Sequence, residues 1–432
     1  MKECMILRGM KVVVIGAGCA GLCAAKNSIE AGLDVVVYEQ TDQVGGTWVC
    51  REEVGKDKFG LDVHSSMYRG AVTNLPREIM GYPGFPMTEG NMSFIVSEDV
   101  LKFYNRYADF FNLNFVHRAF IKFHHSVLRV SAKGKSQWQV VVKDLNNNRT
   151  ATIIFDAVFI CNGHNFSPLF PQYPGQKVFR GIQLHSHDYR HGDIFRGQRV
   201  LVVGAGASAV DVVTDASKMA DFIVQSHHWK KNQNIFATVS LVQKYPEVSH
   251  LTENGVVFKD GTEDTFTMIV YCTGYRYSFP FLTPDCGVTY DQNYVTPLYQ
   301  HCININRPTM AFIGLCHFVM VAQVADMQAR FALKFITGAK DLPSREKMLA
   351  SEEYEIIRRR QVGLALRKTH LMGSFQEDYL HNLATIADIK PADPVIFGIY
   401  SKVVEIIKLN VDHRKFNYRI IDEYSFEKSL LS

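Results

Sequence analysis

Apolar residues gather along this chain in two kinds of run. Short, continuous, β-branched runs occupy residues 11–15 (KVVVI), 34–38 (DVVVY) and 199–203 (RVLVV). Runs of that length without polar alternation predict strands buried on both faces, as in a parallel sheet. Between the first two, a helical spacing runs from Ala20 to about Ala31 and stops at Gly32. The chain therefore opens with strand, helix and strand in close succession, a βαβ unit. After residues 199–203 the order returns: a glycine turn, a helix from about Ser208 to Met219, and a strand over 222–225.

Other segments read differently. Residues 97–112 begin with Ser97 and two acids and place Val100, Phe103, Tyr104, Tyr107 and Phe111 at helical spacing, which predicts a core-facing helix. Residues 138–143 and 151–161 flank an Asn-rich turn, and residues 256–271 carry Asp260-Gly261; both predict hairpins. The segment Ala311 to Ala322 (AFIGLCHFVMVA) is too short to span a membrane and reads as a buried helix. From residue 310 onward the pattern is mostly helical, with 344–362 a charged surface helix.

Composition narrows the class. The 432 residues are 47% hydrophobic and 21% charged, enough for two or three globular domains. A net charge of +4 on that length, without a long basic run, argues against nucleic acid as a partner. The nine cysteines are an odd number and show no metal-ligand spacing, so free thiols, a reducing cytoplasmic setting and no metal site are expected. The first strand begins by about residue 11, leaving no room for a signal peptide.

The chemistry lies in the glycine turns. The first reads Gly16-Ala17-Gly18-Cys19-Ala20-Gly21. Gly16 permits the tight turn, Gly18 lets backbone approach a pyrophosphate, and Gly21 lets helix and strand pack closely. The helix start presents unpaired N–H groups to the phosphates. Glu39, at the end of the second strand, is placed to bind ribose hydroxyls. The second turn reads Gly204-Ala205-Gly206-Ala207-Ser208-Ala209, with Ala209 tolerated because that position concerns packing. Its second strand ends in Ser226-His227-His228, followed by Lys230-Lys231, rather than in an acid. Donors and positive charge there favour a ribose 2′-phosphate, so NADPH is expected over NADH. Two dinucleotides in one chain imply a resident flavin, FAD, and a nicotinamide cofactor that reduces it.

Flavoprotein disulfide reductases also pair two such domains, but they need a CxxC or CxxxxC beside the flavin, and no such spacing occurs here. Instead, further segments resemble the flavin-containing monooxygenases. Val44-Gly45-Gly46-Thr47-Trp48 resembles the family's segment over FAD. Ala71-Val72-Thr73-Asn74-Leu75-Pro76 resembles the segment that ends in an asparagine beside the flavin. Gly81-Tyr82-Pro83-Gly84-Phe85-Pro86 is similar to its YPxFP stretch. Residues 179–189, Phe179 to Tyr189, fit its FxGxxxHxxxY identifying sequence. Gln323 lies in a segment similar to the family's last flavin-contacting region. The resemblance covers roughly residues 10 to 335.

What the resemblance implies is specific. The fold is α/β, with two Rossmann-like dinucleotide-binding domains for FAD and NADPH, the smaller inserted in the larger. The limits are 1–180 and 281–432 for the FAD-binding domain and 181–280 for the NADPH-binding domain. NADPH reduces FAD, oxygen adds to give a C4a-hydroperoxyflavin, and a soft nucleophile, amine nitrogen or sulfide, takes the distal oxygen. Asn74 orients oxygen activation, and Gly46, Thr47, Trp48, Thr73 and Gln323 line the flavin. Gly204, Gly206, Ser208, Ala209, Ser226 and His228 hold NADPH. The family often has arginine where His228 stands. The resemblance points to the soluble insect type, with plant alkaloid amines as one substrate class, no membrane span and a homodimer as one arrangement. A Baeyer–Villiger monooxygenase, a peroxide-forming NADPH oxidase and a non-enzymatic redox sensor remain the alternatives.

Overall fold

The computed structural model describes residues 9–113, 120–227, 242–409 and 411–431. Strand β1 (Lys11–Ile15), helix α1 (Cys19–Glu30) and strand β2 (Asp34–Tyr38) form the opening unit. β1 lies inside a seven-stranded sheet, parallel to β2 on one side, beyond which Ile121–Lys122 forms the edge, and to the central strand Ala157–Ile160 on the other. Residues Met310–Phe312 extend the sheet in parallel, and Ile303–Asn304 and Leu298–Tyr299 add two antiparallel strands at that edge. Val12, Val13 and Val14 are fully buried, which is why this run shows no alternation.

The second unit, β3 (Arg199–Val203), α2 (Ala207–Met219) and β4 (Phe222–Ser226), stands in its own five-stranded parallel sheet. Residues Gln243–Tyr245 flank β4, and residues Met268–Tyr271 and Ile182–His185 follow on the other side of β3. The first sheet draws strands from both sides of the second in sequence, so the smaller Rossmann-like domain is inserted in the larger.

Three smaller antiparallel elements complete the strands. Residues 125–155 form a three-stranded meander, residues 248–265 a second one turning at Asp260-Gly261, and residues 416–430 a hairpin. Helix Ser97–Phe110 buries Val100, Phe103, Tyr104 and Tyr107 as its spacing predicts. Helix Val321–Ile336 packs on α1, where Asn27 Nδ2 donates to Asp326 Oδ1 at 2.8 Å in the buried interface.

The buried helix expected over residues 311–322 is corrected. Residues 311–322 are not a helix: Met310–Phe312 is a core strand, Gly314 turns with φ +83°, and the helix starts only at Val321. Parallel pairing to residues 158–160 takes the apolar run that length alone left ambiguous. Beyond it the chain is mostly helical as its pattern predicts, with the charged helix at Arg345–Gln361, and it closes on the hairpin Phe416–Ile420 and Phe426–Leu430.

Candidate active site

The first glycine loop turns the chain from β1 into α1. Gly16 has φ +102°, and a Cβ there would stand 2.6 Å from the Cys161 backbone oxygen. A Cβ on Gly21 would meet the Gly16 carbonyl oxygen at 1.8 Å. Gly18 is the N-cap of α1, and no side chain caps it. The first-turn N–H groups are therefore left for a group from outside the chain. Gly46 approaches from the opposite side with φ +56°, and the Gly45 N–H donates to the Ala17 carbonyl at 3.1 Å. The cradle so formed is walled by backbone and carries the uncompensated positive end of α1. A pyrophosphate suits it in charge and in the absence of side chains from its walls.

Glu39 is buried beside this cradle. Its Oε2 accepts from the Ala17 N–H at 2.8 Å, and its Oε1 accepts from the Thr41 N–H at 2.8 Å and the Thr41 hydroxyl at 2.7 Å. These bonds leave Oε2 a spare lone pair for a ribose hydroxyl. Gly46, Thr47 and Trp48 form one short 3-10 turn over α1; Trp48 is half-buried, and the Thr47 carbonyl accepts from Ser65. Thr73 turns inward, its hydroxyl accepting from the Ile95 N–H at 3.2 Å. Gln323 lies on the first turn of its helix, and its amide donates to the Gly81 carbonyl at 2.8 Å.

The second loop repeats the turn of the first. Gly204 has φ +122°, and a Cβ there would stand 2.2 Å from the Cys272 carbonyl oxygen. Gly206 is again an N-cap without a side-chain cap, but a Cβ on it would meet nothing within 4 Å. Ala209 is fully buried, as its packing role requires, and Ser208 is half-buried on the same first turn. Gln225 donates to the Gly204 carbonyl at 2.8 Å and holds the loop. The Ser226 hydroxyl donates to the Pro246 carbonyl at 2.5 Å, so its proton is directed to backbone rather than outward. His228, Lys230 and Lys231 lie outside the described residues.

Asn74 is held by residues that no local sequence signal marked. The Arg414 Nη2 donates to Asn74 Oδ1 at 2.8 Å and to the Val72 carbonyl at 2.9 Å, and its Nε donates to the Thr73 carbonyl at 3.1 Å. Its Nη1 pairs with Asp211 Oδ1 on α2 at 2.7 Å, across 203 positions of sequence. Burial opposes the Arg414 charge, but Asp211 more than offsets it and raises its pKa. Tyr68 donates to the other Asp211 oxygen at 2.5 Å, and Tyr189 donates to Asp215 at 2.7 Å. The final tyrosine of the identifying sequence is thus a strut against α2.

His185, the last residue of the edge strand Ile182–His185, is fully buried and packs against Phe170 and Tyr275; burial, aided by His187, holds its pKa at about 4. His164 lies in the loop after the strand Ala157–Ile160 and His317 in the loop after Met310–Phe312. Burial holds both below the ordinary imidazole range, His317 at about 3. These imidazoles are neutral near pH 7. Among the described residues no group of side chains could hold a metal ion, and no helix is long and apolar enough to cross a membrane.

A model of the family described as flavin-binding monooxygenase-like matches residues 9–230 and 231–406. The chain is 34% identical to senecionine N-oxygenase of Tyria jacobaeae over 97% of its own length and 91% of that protein's. It is 35% identical to flavin-containing monooxygenase FMO GS-OX-like 6 of Arabidopsis thaliana, covering 84% of this chain and 79% of that one. Among solved structures, S-allyl-L-cysteine S-oxygenase from Allium sativum superposes with a TM-score of 0.85 at 29% identity, over 94% of this chain and 95% of that one. Tmm from Pelagibacter sp. strain HTCC7211 gives 0.82 at 25% identity, over 94% and 93%. The two glycine cradles and the full-length match together establish that this chain belongs to the flavin-binding monooxygenase-like family.

Proposed function

We propose that the chain uses FAD and NADPH to transfer one atom of dioxygen to a soft nucleophilic nitrogen or sulfur of a small molecule, with tertiary-amine alkaloids as the leading substrate class. One observation carries the reading. Gly18 and Gly206 each open a helix without a side-chain cap, at the end of a parallel strand, in one chain. Such paired helix starts hold two pyrophosphates. In support, one relative of matching length is named for oxygenating the nitrogen of senecionine and one structural neighbour for oxygenating a sulfide. The proposed domain limits are 1–180 with 281–432 for the flavin and 181–280 for the nicotinamide cofactor.

The bound flavin supplies hydride acceptance and oxygen activation. The chain's residues bind, orient and exclude water. Gly16, Gly18, Gly21 and Gly46 hold the flavin's pyrophosphate and Glu39 its ribose, while Thr47, Trp48, Thr73 and Gln323 shape the wall nearby. Gly204, Gly206, Ser208 and Ala209 take NADPH, with Ser226 and His228 at its ribose end. Asn74 offers its amide N–H groups to the reacting region. The imidazoles of His164 and His317, in the loops after Ala157–Ile160 and Met310–Phe312, are held neutral by burial. That suits a reaction whose main demand is protection from water and stray protons.

The reading is tested by NADPH consumption across tertiary amines, sulfides and ketones, with product masses. Addition of one oxygen to amines or sulfides is expected. Ester formation from ketones alone would overturn it.

A further inference from the structure

We propose that Arg414 is a positioning residue: it fixes the amide of Asn74 and ties it to the helix that opens the second glycine loop. The proposal rests on the reading of Asn74 above and goes beyond it.

Arginine only donates hydrogen bonds. The atom of Asn74 that faces Arg414 at 2.8 Å must therefore be Oδ1. That choice turns both Nδ2 hydrogens away from Arg414, and no acceptor among the described residues takes either of them. The amide is thus delivered as a pair of free donors in a fixed orientation. The same guanidinium also binds the carbonyls of Val72 and Thr73, so three successive residues are held by one planar group.

The remaining edge of the fork reaches the other domain. Asp211 lies four residues after Ala207, the first residue of α2, and moves with that helix start. Tyr68 holds the second oxygen of Asp211, and Tyr189, with its ring 5.2 Å from that of Tyr68, holds Asp215 one turn on. Arg414 is itself anchored. The Asp412 carboxylate accepts from the Arg414 N–H at 3.1 Å. The hairpin that follows is tied to Ser93, whose N–H donates to Asn417 Oδ1 and whose hydroxyl accepts from the Tyr418 N–H. A lysine could keep the charge opposite Asp211, but a point ammonium cannot address four acceptors arranged around a plane.

The test uses the full chain with Arg414→Lys, Arg414→Ala, Asn74→Ala and the double variant Asn74→Ala/Arg414→Lys. Three quantities are read: flavin content, peroxide released per NADPH consumed, and amide hydrogen exchange in residues 70–76 and 207–219 before any nicotinamide cofactor is added. Arg414→Lys is expected to keep its flavin and to release on the order of tenfold more peroxide per NADPH, the scale set by misplacing an orienting group. Exchange should quicken in both segments, and Arg414→Lys should add no further peroxide in the Asn74→Ala background. Should Arg414→Ala fail to fold, Arg414→Lys carries the test. Peroxide unchanged in Asn74→Ala brings down the reading of Asn74. Peroxide raised by Arg414→Lys to the same extent with or without Asn74, or exchange altered in only one segment, brings down the positioning role of Arg414 while leaving Asn74 standing.

Discussion

A Cβ built on Gly46 would stand 3.1 Å from the Cα of Gly18. Two backbone segments, one from the phosphate loop and one from the turn over it, therefore meet without a side chain between them. Gly46 also has φ +56°, where an L residue costs roughly 1–2 kcal/mol. Gly46→Ala is expected to fold, to melt a few degrees lower, and to lose flavin during gel filtration, read as absorbance of flavin against protein. Full flavin retention would show that the contact does not shape the cradle.

The second loop separates folding from binding. Gly204→Ala drives a Cβ to 2.2 Å from the Cys272 carbonyl at φ +122°, and a loss of about 3 kcal/mol or more of stability is expected. Gly206→Ala meets no protein atom within 4 Å at φ −81°. It should melt like the parent and keep its flavin, while KM for NADPH rises on the order of tenfold because the new methyl fills the space a pyrophosphate enters. Melting curves and NADPH kinetics on the two variants check this. An unchanged KM in Gly206→Ala would move the nicotinamide cofactor elsewhere.

Tyr189 closes the identifying sequence, yet its hydroxyl is spent on Asp215 and the residue is fully buried. Tyr189→Phe removes that one hydrogen bond and is expected to cost about 1 kcal/mol in denaturant unfolding. Its oxygen-transfer rate with saturating cofactor should stay near the parent's. A large loss of rate at unchanged stability would assign the tyrosine to chemistry instead.

Acid should destabilise the fold early. Burial is the main cause that holds His185 and His413 at about 4 and His317 at about 3, against about 6.5 for an unfolded histidine. Between those values the unfolded chain binds protons that the folded chain refuses, so stability falls as pH drops from about 6.5 towards 3. Glu355 acts in the same direction lower down. Burial disfavours its charge, but His301 and Arg359 hold its pKa at about 2, so its contribution is lost as pH falls from about 4.5 through 2. Denaturant midpoints measured from neutral to mildly acidic pH should decline steadily. A flat profile would contradict the burial of these imidazoles.

Much of this was legible in the sequence because it is local. Each glycine loop lies between a continuous apolar run and a helical spacing within one βαβ unit, and Glu39 sits at a fixed offset from the first. What escaped is set by distant contacts. Residues 310–312 read as helix until the pairing with 158–160 claims them as strand. Arg414 and Asp211 look like ordinary surface charges, and only the fold brings them to 2.7 Å beside Asn74. Ser226 reads as an outward donor because its acceptor, the Pro246 carbonyl, lies 20 positions on, past the strand end that a local reading covers.

The most direct test of the central claim is the fate of labelled dioxygen. The flavin-loaded chain is given NADPH, a tertiary amine and oxygen-18 gas, and the product is weighed by mass spectrometry. The account predicts an N-oxide carrying one labelled atom, with NADPH consumed in step. Preparations that take up no flavin, or that consume NADPH and yield only peroxide with every amine and sulfide offered, would contradict it.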